Sequence, residues 1–579
     1  MVNANWRPTR PGGGGGGGTE AALDEGCWRA QLPPRSRERI VDKIPIFKGR
    51  YLKILSMETE RQGTIPNALP FNSAGSSSED SAVKRARLPS SNQDETQNAV
   101  DYISQLPDAI IFHIFSFLTT KDTIKTSVLS KQWRSTWTSN QYMSFSLPPG
   151  GSQKSKGFIA FVDSVLSRYT AKKLKRFLFD APCPASMRFS LGWWPQLAVE
   201  RDVEEVSASL DRWLQFAVEH DVEEVSVTLN NHRHKIYALP QILFSCKTLV
   251  SLRISRCCFS VFGTVNWCSL KILRIELAEL NDDGMMRVLS GSPVLELLEL
   301  KRCVGVKHII VESKSFRELV IDSHEFYGQA SMLKISAPHL LKLCLLGKSR
   351  GGEFRLDEVS SLIEAELNFE MLDEVKARAD LLKGLLERLH NVTKLVMGSW
   401  CLQALSLMEA RDMFLPSLKC RHLILLGAAG HEGVPEAIAK ILESTRLLEK
   451  LFLQMTCTPD SEIGLKAERA GCRVFAGEEF WNFVKWRIYH CLMHLRHVEI
   501  VDGGASLLAW EPVLSLLKFL LQNALWLDKI VIDSTNSKSS QASEPSPLLE
   551  VARILLSHPK CSPSAKVILR YPFQGCPSV

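Results

Sequence analysis

Leu249-Val250-Ser251-Leu252-Arg253-Ile254, Leu270-Lys271-Ile272-Leu273-Arg274-Ile275 and Leu295-Glu296-Leu297-Leu298-Glu299-Leu300 carry apolar residues at the same three places, the first, fourth and sixth. Along an extended chain successive side chains point to opposite faces, so the fourth and sixth residues share one face. A unit this short cannot bury that face alone and needs copies of itself alongside. The triplet, at offsets 0, +3 and +5, recurs outward from these three. Upstream stands Val222/Val225/Val227, and downstream stand Phe316/Leu319/Ile321, Leu340/Leu343/Leu345, Leu362/Ala365/Leu367, Val392/Leu395/Met397 and Leu448/Leu451/Leu453. Leu418/Leu423/Leu425 fits with two extra residues inserted. Successive starts lie about 21 to 30 residues apart, a solenoid spacing. The pattern predicts an α/β solenoid with strands stacked side by side from about Val203 to Leu453. A further repetition, AVERDVEEVSASL at 198–210 and AVEHDVEEVSVTL at 217–229, reads as a local duplication of one strand-bearing unit.

Before the solenoid, residues 101–140 read DYISQLPDAIIFHIFSFLTTKDTIKTSVLSKQWRSTWTSN. Pro107 suits the first position of a helix, where its missing N–H costs nothing, and Asp108 favours the positive end of the helix dipole. On a 3.6-residue period Ile110, Ile111, Ile114, Phe115, Phe117 and Leu118 fall on one wide arc, broader than one neighbouring helix covers. Thr119 to Asp122 supply caps for a second helix over about Asp122 to Leu129. Ser130 can cap a third, which carries Trp133 and Trp137 at i, i+4 spacing. Three short helices make a small core that gains by docking on a partner.

This segment resembles an F-box of the form found in large plant families. Leu106-Pro107-Asp108, Ile111, Ile114, Leu118, Lys121-Asp122, Thr126 to Lys131, Trp133-Arg134 and Trp137 carry the likeness. Thr119 stands where the family usually has proline, which is expected to loosen a turn without abolishing docking. The resemblance implies docking on a Skp-type adaptor and, through it, a cullin scaffold. The adaptor-binding residues it implies are Leu106, Pro107, Ile110, Ile111, Ile114, Leu118, Val128, Leu129 and Trp133. The repeats resemble the degenerate leucine-rich repeats of F-box proteins, most lacking the asparagine common in such arrays. The C-terminal order of strand (to Ile500), helix end (519–524), strand (527–532) and helix (through 552–556) resembles the FBD domain that often ends plant F-box proteins with leucine-rich repeats. The expected organisation is a disordered tail over 1–100, an F-box over 101–147, a solenoid over 148–456 and an FBD-like α/β cap over 484–571. The implied function is substrate recognition within a Skp–cullin–F-box ubiquitin ligase, with an unknown target held on the solenoid's concave strands. The alternative is a leucine-rich-repeat scaffold with no role in ubiquitination.

Composition agrees with that reading. The 579 residues are 45% hydrophobic and 23% charged, enough for a large core in more than one unit. Seventy basic against 63 acidic side chains leave a net charge of +7, too mild to call for nucleic acid or a membrane as partner. Fifteen cysteines, an odd number with no Cys-x-x-Cys pair, sit largely in apolar runs and read as free thiols of a reducing compartment, cytoplasm or nucleus. The tail holds Gly12 to Gly18 and a Ser/Asn/Gln/Glu-rich stretch over 73–97, too polar to offset its ordering entropy. Within it Lys84, Arg85 and Arg87 form a candidate nuclear-import cluster, and Met57 offers an alternative start to Met1. The opening lacks a signal-peptide pattern, and no stretch is long and apolar enough to span a bilayer.

No phosphate-binding glycine motif, His-Glu-x-x-His or Gly-x-Ser-x-Gly appears. His232 and His234 lack partners at ligand spacing, and Cys257-Cys258 has nothing nearby to lower a thiol pKa. Trp193-Trp194 reads as packing between the F-box linker and the first repeat, with an aromatic anchor for a partner as the alternative. No enzyme activity, cofactor or metal is expected.

Overall fold

The computed structural model describes residue 103 and residues 106–570, apart from 148–151, 182–193, 230–236, 260, 262, 325–331, 350–352, 372–374, 428–432, 456–476, 503–506 and 534–546. The expected tail with Lys84, Arg85 and Arg87, and also Trp193, His232 and His234, lie outside the described residues.

Among the described residues, 15 parallel strands form one sheet in which each strand pairs with the next in chain order. They are β1 (Tyr142–Ser146), β2 (Arg176–Asp180), β3 (Glu224–Thr228), β4 (Ser251–Ser255), β5 (Ile272–Glu276), β6 (Leu297–Lys301), β7 (Glu318–Asp322) and β8 (Lys342–Ser349). Then follow β9 (Glu364–Met371), β10 (Lys394–Met397), β11 (His422–Leu426), β12 (Lys450–Met455), β13 (His497–Asp502), β14 (Lys529–Asp533) and β15 (Lys566–Arg570). The triplet residues at +3 form one buried ladder through the sheet, as in Leu252–Leu273–Leu298–Leu319–Leu343. Those at +5 form a second, Ile254–Ile275–Leu300–Ile321–Leu345. The offset-0 residues, such as Leu270, Leu295 and Phe316, are buried in a turn just before each strand, where Leu270 N–H donates to Trp267 O and Leu295 N–H to Ser292 O.

Register is set at that turn. Two successive amides of each repeat donate to one carbonyl of the repeat before. Lys271 and Ile272 both donate to Val250 O, Glu296 and Leu297 to Lys271 O, and Arg317 and Glu318 to Glu296 O. The same pairing continues through Leu341/Lys342 to Arg317 O, Thr393/Lys394 to Ile363 O, Glu449/Lys450 to Arg421 O and Arg496/His497 to Glu449 O. Four successive strand exits, those of β4 to β7, turn sharply: Arg256, Leu277, Arg302 and Ser323 adopt left-handed backbone at φ 50 to 59°. Their amides donate to the last strand carbonyls of the following repeat, as from Leu277 to Lys301 O and from Arg302 to Asp322 O. Those bonds offset a strain of about 1–2 kcal/mol per non-glycine residue in this conformation.

The face of the sheet that carries the ladders is closed by returning segments. Helices do this at Ser152–Ser167, Trp194–Glu219, Val375–Arg388, Ser399–Ala410, Val434–Ser444 and Leu507–Asn523. In the repeats with shorter returns, strands His308–Ile310, Met332–Ser336 and Glu353–Leu356 form a separate three-stranded parallel sheet.

Two expectations change. The sheet starts earlier than Val203: β1 and β2 belong to it, with Phe145 and Phe179 buried where later strands carry aliphatics. The two near-identical segments do not form the same element. Residues 202–210 lie inside the helix Trp194–Glu219, whereas 224–228 form β3. The shared pattern suits both periods: Val206 and Leu210 are buried one helical turn apart, and Val225, Val227 and Leu229 are buried at alternate positions. The difference lies at Ala208, a good helix former that is exposed, against β-branched Val227, which is fully buried. Residues 484–571, expected as an α/β cap closing the solenoid, carry the same sheet onward. β13 continues β12 in register, Leu451 opposite Val498 and Leu453 opposite Ile500, and β14 and β15 follow.

A charged cluster ties this last part to the helices before it. Arg487 donates to both oxygens of Glu409, one at 2.8 Å, and to Glu443 at 2.6 Å, and Lys440, only 4% exposed, lies 3.3 Å from Glu409. Burial alone would raise the Glu409 pKa, but the hydrogen bonds and charge of Arg487, with Lys440, hold it below the ordinary 4.5. A depressed folded pKa contributes stability that is fully present above 4.5 and is lost as pH falls through the folded value. Acidification through that window is therefore expected to lower the protection of amides across Glu478–Leu492, relative to their intrinsic exchange rates at each pH, and Arg487→Met to remove most of that pH dependence. Hydrogen exchange read against pH checks this. In the ladder, Leu300→Ala is expected to cost about 2–5 kcal/mol, seen as a lowered midpoint in thermal or urea unfolding.

Candidate functional site

The segment ahead of the sheet folds as α1 (Asp108–Phe115), α2 (Thr120–Lys125) and α3 (Trp133–Thr136). α2 runs on as a 3-10 turn over Thr126–Val128, and α3 as another over Trp137–Ser139. Thr119 caps α2: its hydroxyl accepts from Asp122 N–H at 3.2 Å and donates to the Asp122 carboxylate at 2.8 Å. So the helix begins two residues before the expected Asp122, and threonine in place of proline adds a cap where a loosened turn was expected. Ser130 Oγ accepts from Trp133 N–H at 3.4 Å, as its position suggests. Gln132 ties α3 back to the start of α1, donating to Leu106 O at 3.1 Å and Asp108 Oδ1 at 3.0 Å.

The core of this unit is small. It consists of Ile111, Phe115 and Trp133, with the Phe115 and Trp133 rings edge to face at 5.5 Å. Leu106, Ile114, Leu118 and Leu129 pack on it half-buried. Pro107, Ile110 and Val128 face solvent, Ile110 at 44% and Val128 at 68% exposure. Ile111 and Trp133, expected among the adaptor-binding residues, are 0% and 3% exposed, so they shape the surface from beneath. Phe117, 45% exposed, was left out of that set although the apolar arc in the sequence includes it.

The unit is joined firmly to the sheet. Trp137 packs against both its core and the main core. Ser144 N–H of β1 donates to Thr120 Oγ1 at 2.8 Å, Thr170 N–H to Thr138 O at 2.9 Å, and Arg176 of β2 to Ser116 O at 3.4 Å. The exposed apolar patch is thereby held at a fixed place beside β1.

Burial pushes the Cys257 thiol up to about 12, and the Cys303 and Cys401 thiols likewise, so these cysteines behave as small buried apolar groups. Among the described residues no group of three His, Cys, Asp or Glu is placed to hold a metal, and no helix is long and apolar enough to cross a membrane.

Residues 103–144 match the F-box domain family, and residues 210–378 match the family described as FBD-associated F-box protein At5g56370, LRR repeats. The putative F-box/LRR-repeat protein At3g18150 of Arabidopsis thaliana is 31% identical over 470 residues, which cover 78% of this chain and 92% of that one. The chain belongs to the plant F-box/LRR-repeat family. F-box/LRR-repeat protein At5g02910 of the same plant is 30% identical over 382 residues, covering 64% of this chain and 75% of its own length. F-box/LRR-repeat protein 13 is 24% identical over 489 residues, covering 81% and 96%. F-box domains in general bind Skp-type adaptors, and F-box/LRR-repeat proteins are in general non-catalytic adaptors.

The buried and exposed residues of this F-box separate by experiment. Val128→Asp is expected to leave stability within about 0.5 kcal/mol, as for an exposed site. Ile111→Ala is expected to cost about 2 kcal/mol or more and to raise amide exchange across α1 to α3. Hydrogen exchange of residues 108–139 in the two variants distinguishes them.

Proposed function

We propose that the chain is the substrate-recognition subunit of a Skp–cullin–F-box ubiquitin ligase, its F-box docked on a Skp-type adaptor and its sheet presenting a target protein. The observation that carries this is the apolar face of Pro107, Ile110, Phe117 and Val128, left open to solvent by an F-box whose own core holds only three fully buried apolar side chains. Several exposed apolar side chains on so small a unit fit a docking site. On this reading Leu106, Pro107, Ile110, Ile114, Leu118, Val128 and Leu129 meet the adaptor, while Ile111 and Trp133 set their positions. The chain transfers nothing itself. It acts by proximity, raising the local concentration of target lysines near a charged conjugating enzyme. Residues 484–571 act as the FBD-like closing part of the solenoid, and the cytoplasm or nucleus is the place of action.

Pull-down of the full chain with purified Skp-type adaptor tests this. Capture by the intact chain, lost in Ile110→Asp/Val128→Asp, is the expected result. A folded intact chain that is not captured, or a double variant captured equally well, overturns it.

A further inference from the structure

On the open face of the sheet each strand presents alternate side chains, which line up in rows from strand to strand. In the row at the start of the strands, charges of the earlier strands are paired with neighbours. Arg176 meets Glu224 at 2.5 Å, Lys342 meets Glu318 at 2.6 Å and Lys394 meets Glu364 at 3.2 Å. After Lys394 the alternation of sign stops. The row continues His422, Lys450, His497, Lys529 and Lys566, one on each following strand, with no carboxylate in it. His497 lies 3.5 Å from Glu499, but among the described residues no carboxylate comes within ion-pair distance of Lys450, Lys529 or Lys566. Like charges on adjacent strands oppose one another. Their field is felt in place: burial, then the charge of Lys450, hold the His422 pKa below its usual value, and burial, then Lys529, do the same for His497.

Two residues further along the same strands runs a largely apolar row. It holds Val396, Ile424 and Phe452, all half-buried, then Glu499, which is taken up by Arg570 at 3.1 Å, then Val531, which is fully buried and offers no open surface, and Ile568, which is exposed. Neighbouring strands lie about 4.8 Å apart, so the cationic row from Lys394 to Lys566 is about 24 Å long. That is the span of about seven extended residues. An extended chain lying across the strands would send alternate side chains toward the two rows.

We propose that the open face of β10 to β15, centred on Lys450, Phe452 and Lys529, docks an extended acidic–apolar segment of a target protein, carboxylates on the lysine row and intervening apolar side chains on Val396, Ile424 and Phe452. The proposal deepens the ligase-subunit reading and rests on it for the occupant being a target. The row holds lysine and histidine without arginine, and its charge is carried by the lysines, since both histidines are held below their usual pKa. The row therefore offers single-point ammonium contacts and no bidentate fork, which suits carboxylates set singly along an extended chain. Phe452 is the one aromatic in the apolar row, which gives bases little to stack on.

The test is fluorescence anisotropy of the full chain with a labelled peptide of alternating glutamate and leucine, seven residues long. The expected result is binding that weakens as salt is raised. It is also expected to fall roughly tenfold or more in Lys450→Glu/Lys529→Glu and by less in Lys450→Met/Lys529→Met. Both variants are expected to keep adaptor capture, which shows them folded, and Ile110→Asp/Val128→Asp is expected to bind the peptide normally. Adaptor capture without peptide binding sinks this proposal and leaves the ligase reading standing, and peptide binding without adaptor capture does the reverse. Equal binding of a glutamine-for-glutamate peptide, or no loss in either lysine variant, overturns it. So does tighter binding of a phosphoserine-for-glutamate peptide or of a single-stranded oligonucleotide of equal charge.

Discussion

Everything in this molecule depends on a carbonyl that accepts two amides. At the entry to each strand the chain places two successive N–H groups on one oxygen of the repeat before, from Val250 O through Glu449 O. A single ladder bond would allow a strand to slip, and a slip of one residue would turn every buried side chain outward. A shared acceptor at a fixed turn leaves only one register. The ladders from Leu252 to Leu343 and from Ile254 to Leu345 follow from it, and so do the rows on the opposite face, because inner and outer positions alternate along the same strands.

The repeats were legible because their physics is local. An apolar residue that must enter a turn, followed by two that must share a face, leaves the same spacing each time, and Leu270/Leu273/Ile275 reads as plainly in one dimension as in three. Met143/Phe145 escaped because polar Asn140 stands at the turn position ahead of them, whereas Leu174/Phe177/Phe179 keeps the same offsets and was legible but overlooked. The segment 202–210 misled because Val203, Val206 and Leu210 satisfy a helical period while Val203, Val206 and Ala208 stand at the offsets of a strand-bearing triplet. The deciding difference was one side chain, Ala208 against Val227. In the F-box, sequence placed the helices and their caps. It could not separate Ile111, which faces inward, from Ile110, which faces out, because the apolar arc is wider than the core it covers.

The charge pattern is the opposite case. Lys394, His422, Lys450, His497, Lys529 and Lys566 are 28 to 47 residues apart in the chain and look dispersed. They become neighbours only when the strands stack. A signal was nevertheless present, since Lys394 and Lys450 both occupy offset +2 of their triplets, an outward position by alternation. Reading that offset from one triplet to the next would have shown mixed, self-paired charge giving way to one sign. The two halves of the open face therefore differ in kind: the earlier strands neutralise themselves, and the later ones leave cations beside an apolar row.

The firm seat of the F-box on β1 has a further consequence. Trp137 packs into both cores, and the bonds from Ser144 and Arg176 leave no free joint between the helical unit and the first strands. Position along the sheet then becomes a measure of distance from whatever the F-box holds. Each strand adds about 4.8 Å, so the step from β1 to β12 amounts to about 50 Å measured along the sheet. A lineage that gained or lost one repeat between them would shift the presented segment by one strand width and leave both ends chemically unchanged. The repeat array works as a ruler, with its unit set by the hydrogen-bond spacing of a parallel sheet.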